Sequence, residues 1–114
     1  MASSITVVVR DDPRTSHRPV EALRIALGLA AGEHEITVLL LGQAWLLLSD
    51  DTDDIVDVDI LEKYLPSFKQ LAIPFVVSST AKIAPTFQSG FAIKQGDAET
   101  VNRLLTTADH TLVF

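Results

Sequence analysis

The chain has 114 residues, 47% hydrophobic and 21% charged, with 9 basic against 15 acidic side chains, a formal net charge of −6 and no cysteine. Such a composition suits one domain, here residues 1–114, able to bury roughly two-thirds of its unfolded surface. It excludes disulfides, Cys-ligated zinc, thiol nucleophiles and persulfide carriage on this sequence, and its scattered basic residues argue against nucleic acid, whose phosphates need a concentrated positive surface. No apolar run approaches the ~18 residues of a membrane span, and Met1-Ala2-Ser3-Ser4 has neither the basic region nor the apolar core of a signal peptide. A cytoplasmic protein with no membrane partner is the expectation.

Ile5 to Val9 is a β-branched run without helical period, which predicts a buried strand. The loop RDDPRTSHRP follows. Pro19 suits the first turn of a helix, and Val20, Leu23, Leu27 and Ala30 recur at three- and four-residue steps as a core-facing stripe that Gly32 ends. Ile36 to Leu41 is a second wholly apolar strand, reached by a right-handed parallel crossover. Ala44 to Leu48 contains the one tryptophan and is too short for a core helix, so part of it is expected in a subunit interface. The tract SDDTDD, Ser49 to Asp54, brings the chain to the surface.

Asp59 and Glu62 have the spacing of a capping box. Leu61, Tyr64, Leu65, Phe68 and Leu71 continue a helical face, which Pro66 is expected to kink or split. Phe75 to Val77 is the third strand and Phe91 to Lys94 the fourth. Asp97 caps a helix with the stripe Val101, Leu104, Leu105 and Ala108, and His110 to Phe114 closes the chain as a fifth strand. This alternation predicts an α/β fold, a flavodoxin-like doubly wound five-stranded parallel sheet in the order 2-1-3-4-5.

Open α/β sheets bind ligands outside the carboxyl ends of their strands. The stretch PFVVSSTAK, residues 74 to 82, runs a strand straight into Ser78, Ser79 and Thr80. With strands one and three as neighbours, a polar crevice is expected between them, lined by Arg10, Asp12, Thr15, Gln43, Ser78 and Ser79. These six are the candidate ligand-binding residues. The hydroxyls read as helix caps facing that pocket rather than nucleophiles, because no G-x-S-x-G elbow and no positioned base accompanies them. No catalytic residue is assigned.

Other patterns carry less. Asp11-Asp12 and the later Ser-Thr-Ala-Lys resemble a response-regulator receiver, but the second strand ends Leu40-Leu41-Gly42-Gln43 without the aspartate, and the fifth has no Lys-Pro. Asp50, Asp51, Asp53 and Asp54 lack the glycine and terminal glutamate of a calcium loop, so no metal site is assigned. With no P-loop or G-x-G-x-x-G, no cofactor is expected. Arg14, Thr15, Ser16 and Arg18 around His17 would favour an anion at the first helix start; the plainer reading is a solvated loop capped by Ser16 or Thr15. His34 and His110 read as turn and strand-edge residues.

Taken together, RDDPRTSHRPVEALRIALGLA, ITVLLLGQAWLLLSDD, ILEKYLPSFKQLAIPFVV and LLTTADHTLVF resemble the DsrE/DsrF-like (TusD-like) family of small sulfur-relay proteins over nearly the whole chain. The resemblance implies the fold, homo-oligomers of the trimer or hexamer kind, and a role beside sulfur-relay partners. Sulfur-carrying members have a cysteine just after the third strand, where this chain has Val77-Ser78-Ser79-Thr80. A serine oxygen forms no persulfide, so transferase activity is not implied. The expectation is a binding or scaffold subunit; the alternative is a small-ligand-binding or enzymatic domain using the crevice between strands one and three.

Overall fold

Val7, Val8 and Val9 on one strand and Val38, Leu39 and Leu40 on another are all buried, so both strands have apolar side chains on both faces. Only the interior of a sheet covered on each side accommodates that pattern. A computed structural model describes residues 3–32, 34–49, 52–78, 87 and 90–114. Its strands are β1 (Ser4–Val9), β2 (Glu35–Leu41), β3 (Phe75–Ser78), β4 (Ile93–Gln95) and β5 (His110–Val113), joined in one sheet. Every pairing is parallel.

Register sorts the side chains. Val7 stands opposite Val38, and Val38 opposite Phe75, while Val8, Leu39 and Val76 are matched on the alternate face. The first face carries Ile5, Val7, Val9, Ile36, Val38, Leu40, Phe75 and Val77 into the main core, together with Val20, Leu23 and Ala26 of α1 (Arg18–Ala31) and Leu61, Leu65 and Phe68 of α2 (Val58–Leu71). The second face, Val8, Leu39 and Val76, packs under Val101 and Leu104 of α3 (Ala98–Thr107). An open parallel sheet with helices on both faces is therefore the architecture, as the β-α-β alternation predicts.

The strand order is β4-β3-β2-β1-β5, with β2 rather than β1 beside β3. This corrects the expected 2-1-3-4-5. With right-handed crossovers, two successive steps in the same direction put both helices on one face. The stripes of α1 and α2 merge into one core on a single face, so the chain steps from β1 to β2 to β3 without reversing. It returns only after β4, when α3 crosses the other face and lays β5 against the free edge of β1.

Local signals meet mixed fates. Gly32 caps α1, its N–H donating to the Leu29 and Ala30 carbonyls, and the Asp97 carboxylate accepts from the Thr100 N–H at 2.9 Å to start α3. The Asp59/Glu62 capping box is not used: α2 begins two residues earlier, after Asp57, which takes a left-handed φ of 61°. Aspartate tolerates that conformation better than most residues. Pro66 lies inside α2 without splitting it. Its exposed ring faces away from the core, while Leu65 and Phe68 anchor the helix on either side.

Gly42, at φ +57°, turns the chain out of β2 into a short 3-10 helix, Gly42–Leu48. Ala44, Leu47 and Leu48 are fully buried in the chain's own core, and Trp45 and Leu46 are half-buried, Trp45 meeting Phe87 edge-on with ring centroids 6.3 Å apart. Most of the apolar surface assigned to a subunit interface is thus consumed internally. The α3 stripe shows the opposite departure: none of its residues is buried, Leu105 is 38% exposed, and Leu112 and Val113, on alternate faces of β5, are 36% and 47% exposed. Among the described residues no helix is long and apolar enough to cross a membrane.

Phe68 is fully buried against Phe75, with ring centroids 5.2 Å apart. Phe68→Ala should cost about 3–5 kcal/mol in urea denaturation, whereas Leu105→Ser should stay within about 0.5 kcal/mol of wild type.

Candidate functional site

At the carboxyl edge of the sheet, the loop after β1 is a turn built on Asp12-Pro13. The Asp12 carboxylate accepts from the Arg14 backbone N–H at 2.9 Å, from Arg14 Nε at 3.1 Å and from Arg14 Nη2 at 2.8 Å. Its carbonyl accepts from the N–H groups of Thr15 and Ser16, each at 3.1 Å, and from the Thr15 hydroxyl at 3.4 Å. A second loop of contacts follows. The Ser16 hydroxyl donates to Asp11 Oδ2 at 3.1 Å and accepts from the Arg18 N–H at 3.1 Å, with Arg18 Nε 3.8 Å from the same carboxylate.

Chemically, this loop neutralises itself. The guanidiniums of Arg14 and Arg18, which suggested an anion site at the start of α1, each already face a carboxylate. The hydrogen bond from the Arg14 side chain holds the Asp12 carboxyl below its ordinary value, outweighing the opposing effect of partial burial. Asp12 and Thr15 are therefore turn-forming residues first.

The remaining candidates line an edge, not a crevice. Arg10 follows β1; its N–H donates to the Phe114 carbonyl at 2.9 Å, and the Phe114 N–H donates to Val8 at 2.8 Å, extending the pairing with β5. Its exposed guanidinium has no ion pair among the described residues. Gln43 follows β2 and is also exposed, one residue beyond Gly42, whose missing Cβ would stand 4.0 Å from the Arg10 carbonyl. Ser78 ends β3, half-buried, opposite Leu41 of β2. Because β2 separates β1 from β3, Ser78 lies two strand spacings from β1, roughly 10 Å, so among the described residues the ends of strands one and three are not the direct neighbours that the expected crevice required. Gly42, just before Gln43, comes near the Arg10 backbone, while Ser78 is paired with Leu41 on the other side of β2. Ser79, with Thr80, Lys82, Asp50 and Asp51, lies outside the described residues.

One feature of this edge escaped the sequence reading. A cavity of about 170 Å³ lies between the β1–α1 loop and the segment after the 3-10 helix, lined by Arg14, Leu46, Ser49, Asp54 and Ile55. The Val56 N–H donates to the Pro13 carbonyl at 2.9 Å and ties the two segments together. Ser49 is only 9% exposed and bridges to Phe87, and Ile55 is buried. The acidic tract reads as solvated, yet the apolar Ile55-Val56 that ends it was the available sign that the chain returns to the core there. Among the described residues no cluster of His, Asp or Glu could hold a metal ion.

The sequence matches no protein-family model and no curated protein. The fold is similar to that in the crystal structure of the ychN protein from E. coli, with a TM-score of 0.76 over 100% of both chains at 17% sequence identity. That likeness is one of fold.

Asp12→Asn removes the acceptor of the Arg14 side chain and should lower the urea midpoint slightly at neutral pH, since the pair is exposed and screened. The folded-state pKa is depressed, so the stabilisation is present above the ordinary aspartate range and lost as pH falls through the lowered value. Midpoints of wild type and variant, different at neutral pH, should converge once the pH has fallen through that lowered value.

Proposed function

We propose that this chain is a cysteine-less protein of the DsrE/DsrF-like kind, serving as a homo-oligomeric binding or scaffold subunit beside sulfur-relay partners and carrying no sulfur itself. The observation behind this reading is the conjunction of that family's sequence pattern, a fold shared with the E. coli protein along the full chain, and a sequence with no cysteine. Ser78 closes β3 where sulfur-carrying members of the family place their thiol. Only a thiolate accepts a persulfide sulfur; a serine hydroxyl does not.

Assembly as a trimer or hexamer is part of the proposal. Leu105 of α3 and Leu112 and Val113 of the edge strand β5 are exposed apolar side chains, Val113 on the sheet face that α3 covers and Leu112 on the other. A parallel sheet is normally covered on both faces, and α3 covers this face without burying any residue of its own. The competing reading, a ligand-binding or enzymatic domain using that edge, has less support because β2 intervenes between β1 and β3.

Two measurements test this. Wild-type protein treated with a low-molecular-weight persulfide donor should gain no sulfur by intact mass, while Ser78→Cys should gain one sulfur atom if the strand end keeps the family's geometry; a sulfur adduct on wild type refutes the reading. Leu105→Glu and Val113→Glu should each lower the assembly state in size-exclusion chromatography with light scattering, without loss of helical signal.

A further inference from the structure

At the opposite, amino-terminal edge of the sheet, a cavity of about 460 Å³ opens where α1 and α2 end and β2 and β3 begin. Small-molecule sites span roughly 300–1,000 Å³. Its apolar wall includes Ile36, Ile73, Pro74 and Leu71, and Leu71 is 57% exposed, the most exposed large hydrophobic side chain among the described residues. Its polar groups are few. The Thr37 hydroxyl has no hydrogen-bond partner among the described residues, and His34 Nδ1 is buried without one.

The electrostatics of this cavity have one sign. Both helices run against the strands and bring their carboxyl ends to it, and each such end carries a partial negative charge. The last turn of α1 has no basic residue to offset it. Lys69, in the last turn of α2, places its ammonium 4.9 Å from the centre of the Phe91 ring and does not line the cavity. Glu35 adds a full negative charge, exposed and without an ion pair among the described residues. Among the described residues lining the cavity there is no lysine or arginine; His34 is its one basic side chain. A smaller cavity of about 100 Å³ beside α3 shares Glu35 and Thr37 with it as lining residues.

We propose that this amino-edge cavity binds a small organic cation, a primary ammonium on an apolar body. The ammonium is held by the Glu35 carboxylate and the Thr37 hydroxyl, and the body lies against Leu71, Ile73 and Pro74. A carboxylate or phosphate ligand would meet like charge from Glu35 and both helix ends. The site is independent of the carboxyl edge and of the sulfur-relay reading.

The test is an amide NMR titration of the full chain with 2-phenylethylammonium, using 2-phenylethanol and phenylacetate as neutral and anionic matches. A nine-heavy-atom probe should bind with a Kd of about 1 mM and shift the amides of residues 34–37 and 71–73. The alcohol should bind about threefold to fivefold more weakly, the scale of one exposed charge pair, and phenylacetate should not shift these amides. Glu35→Gln should remove the preference for the ammonium over the alcohol. Leu71→Ser should weaken both while preserving that preference. Absence of shifts at these amides at about 10 mM probe, equal binding of phenylacetate, or an unchanged preference in Glu35→Gln would overturn the proposal.

Discussion

Everything in this molecule depends on β2 lying between β1 and β3 with both of its faces dry. Val38 and Leu40 face α1 and α2, and Leu39 faces α3, each fully buried. Each burial is worth about 1.5–3 kcal/mol of transfer free energy, and a strand that gains from both faces cannot sit at an edge without forfeiting half of it. From that placement the rest follows. Stepping one way from β1 through β3 stacks α1 and α2 on a common face, leaving β1 with a free edge that only the last strand can take. Asp109 donates its N–H to the Ser4 carbonyl at 2.9 Å and Phe114 closes on Val8 at 2.8 Å, so the end of the chain is fastened to its beginning.

The same order decides what the carboxyl edge can do. Had β1 and β3 been neighbours, the Asp12 turn and Ser78 would have faced one another across a crevice. β2 lies between them instead, and the β1–α1 loop satisfies its own charges through Asp12–Arg14 and Asp11–Arg18. The loop is thus a closed turn whose charged groups are already engaged with one another.

Much of the fold was legible because burial on both faces leaves an unmistakable mark: Ile5 to Val9 and Ile36 to Leu41 have no polar alternation at all, apart from the buried Thr6 and half-buried Thr37. Caps were legible where one side chain does the work, as at Asp97. Strand order was not, because period and composition carry no information about which way a crossover steps; only the shared face of α1 and α2 reveals it. Ala44 to Leu48 was ambiguous for a related reason. An apolar run reads the same whether it meets its own core or another subunit, and Leu47 and Leu48 turned inward. The start of α2 was shifted because a left-handed Asp57 leaves no periodic signal. Of the candidate site, the turn residues Asp12 and Thr15 stood at a position the Asp-Pro pair announces, but the separation of Ser78 from Arg10 and the return of Ile55 to the core depend on long-range packing.

The central claim is that this chain works through assembly, with exposed apolar residues on α3 and β5 meeting other copies and no chemistry of its own at the end of β3. Native mass spectrometry of the gently purified protein tests it most directly, because subunit number is read without any assumption about ligand or partner. The account predicts a homo-oligomer of three or six chains persisting at micromolar concentration, and a protein that stays monomeric there would contradict it.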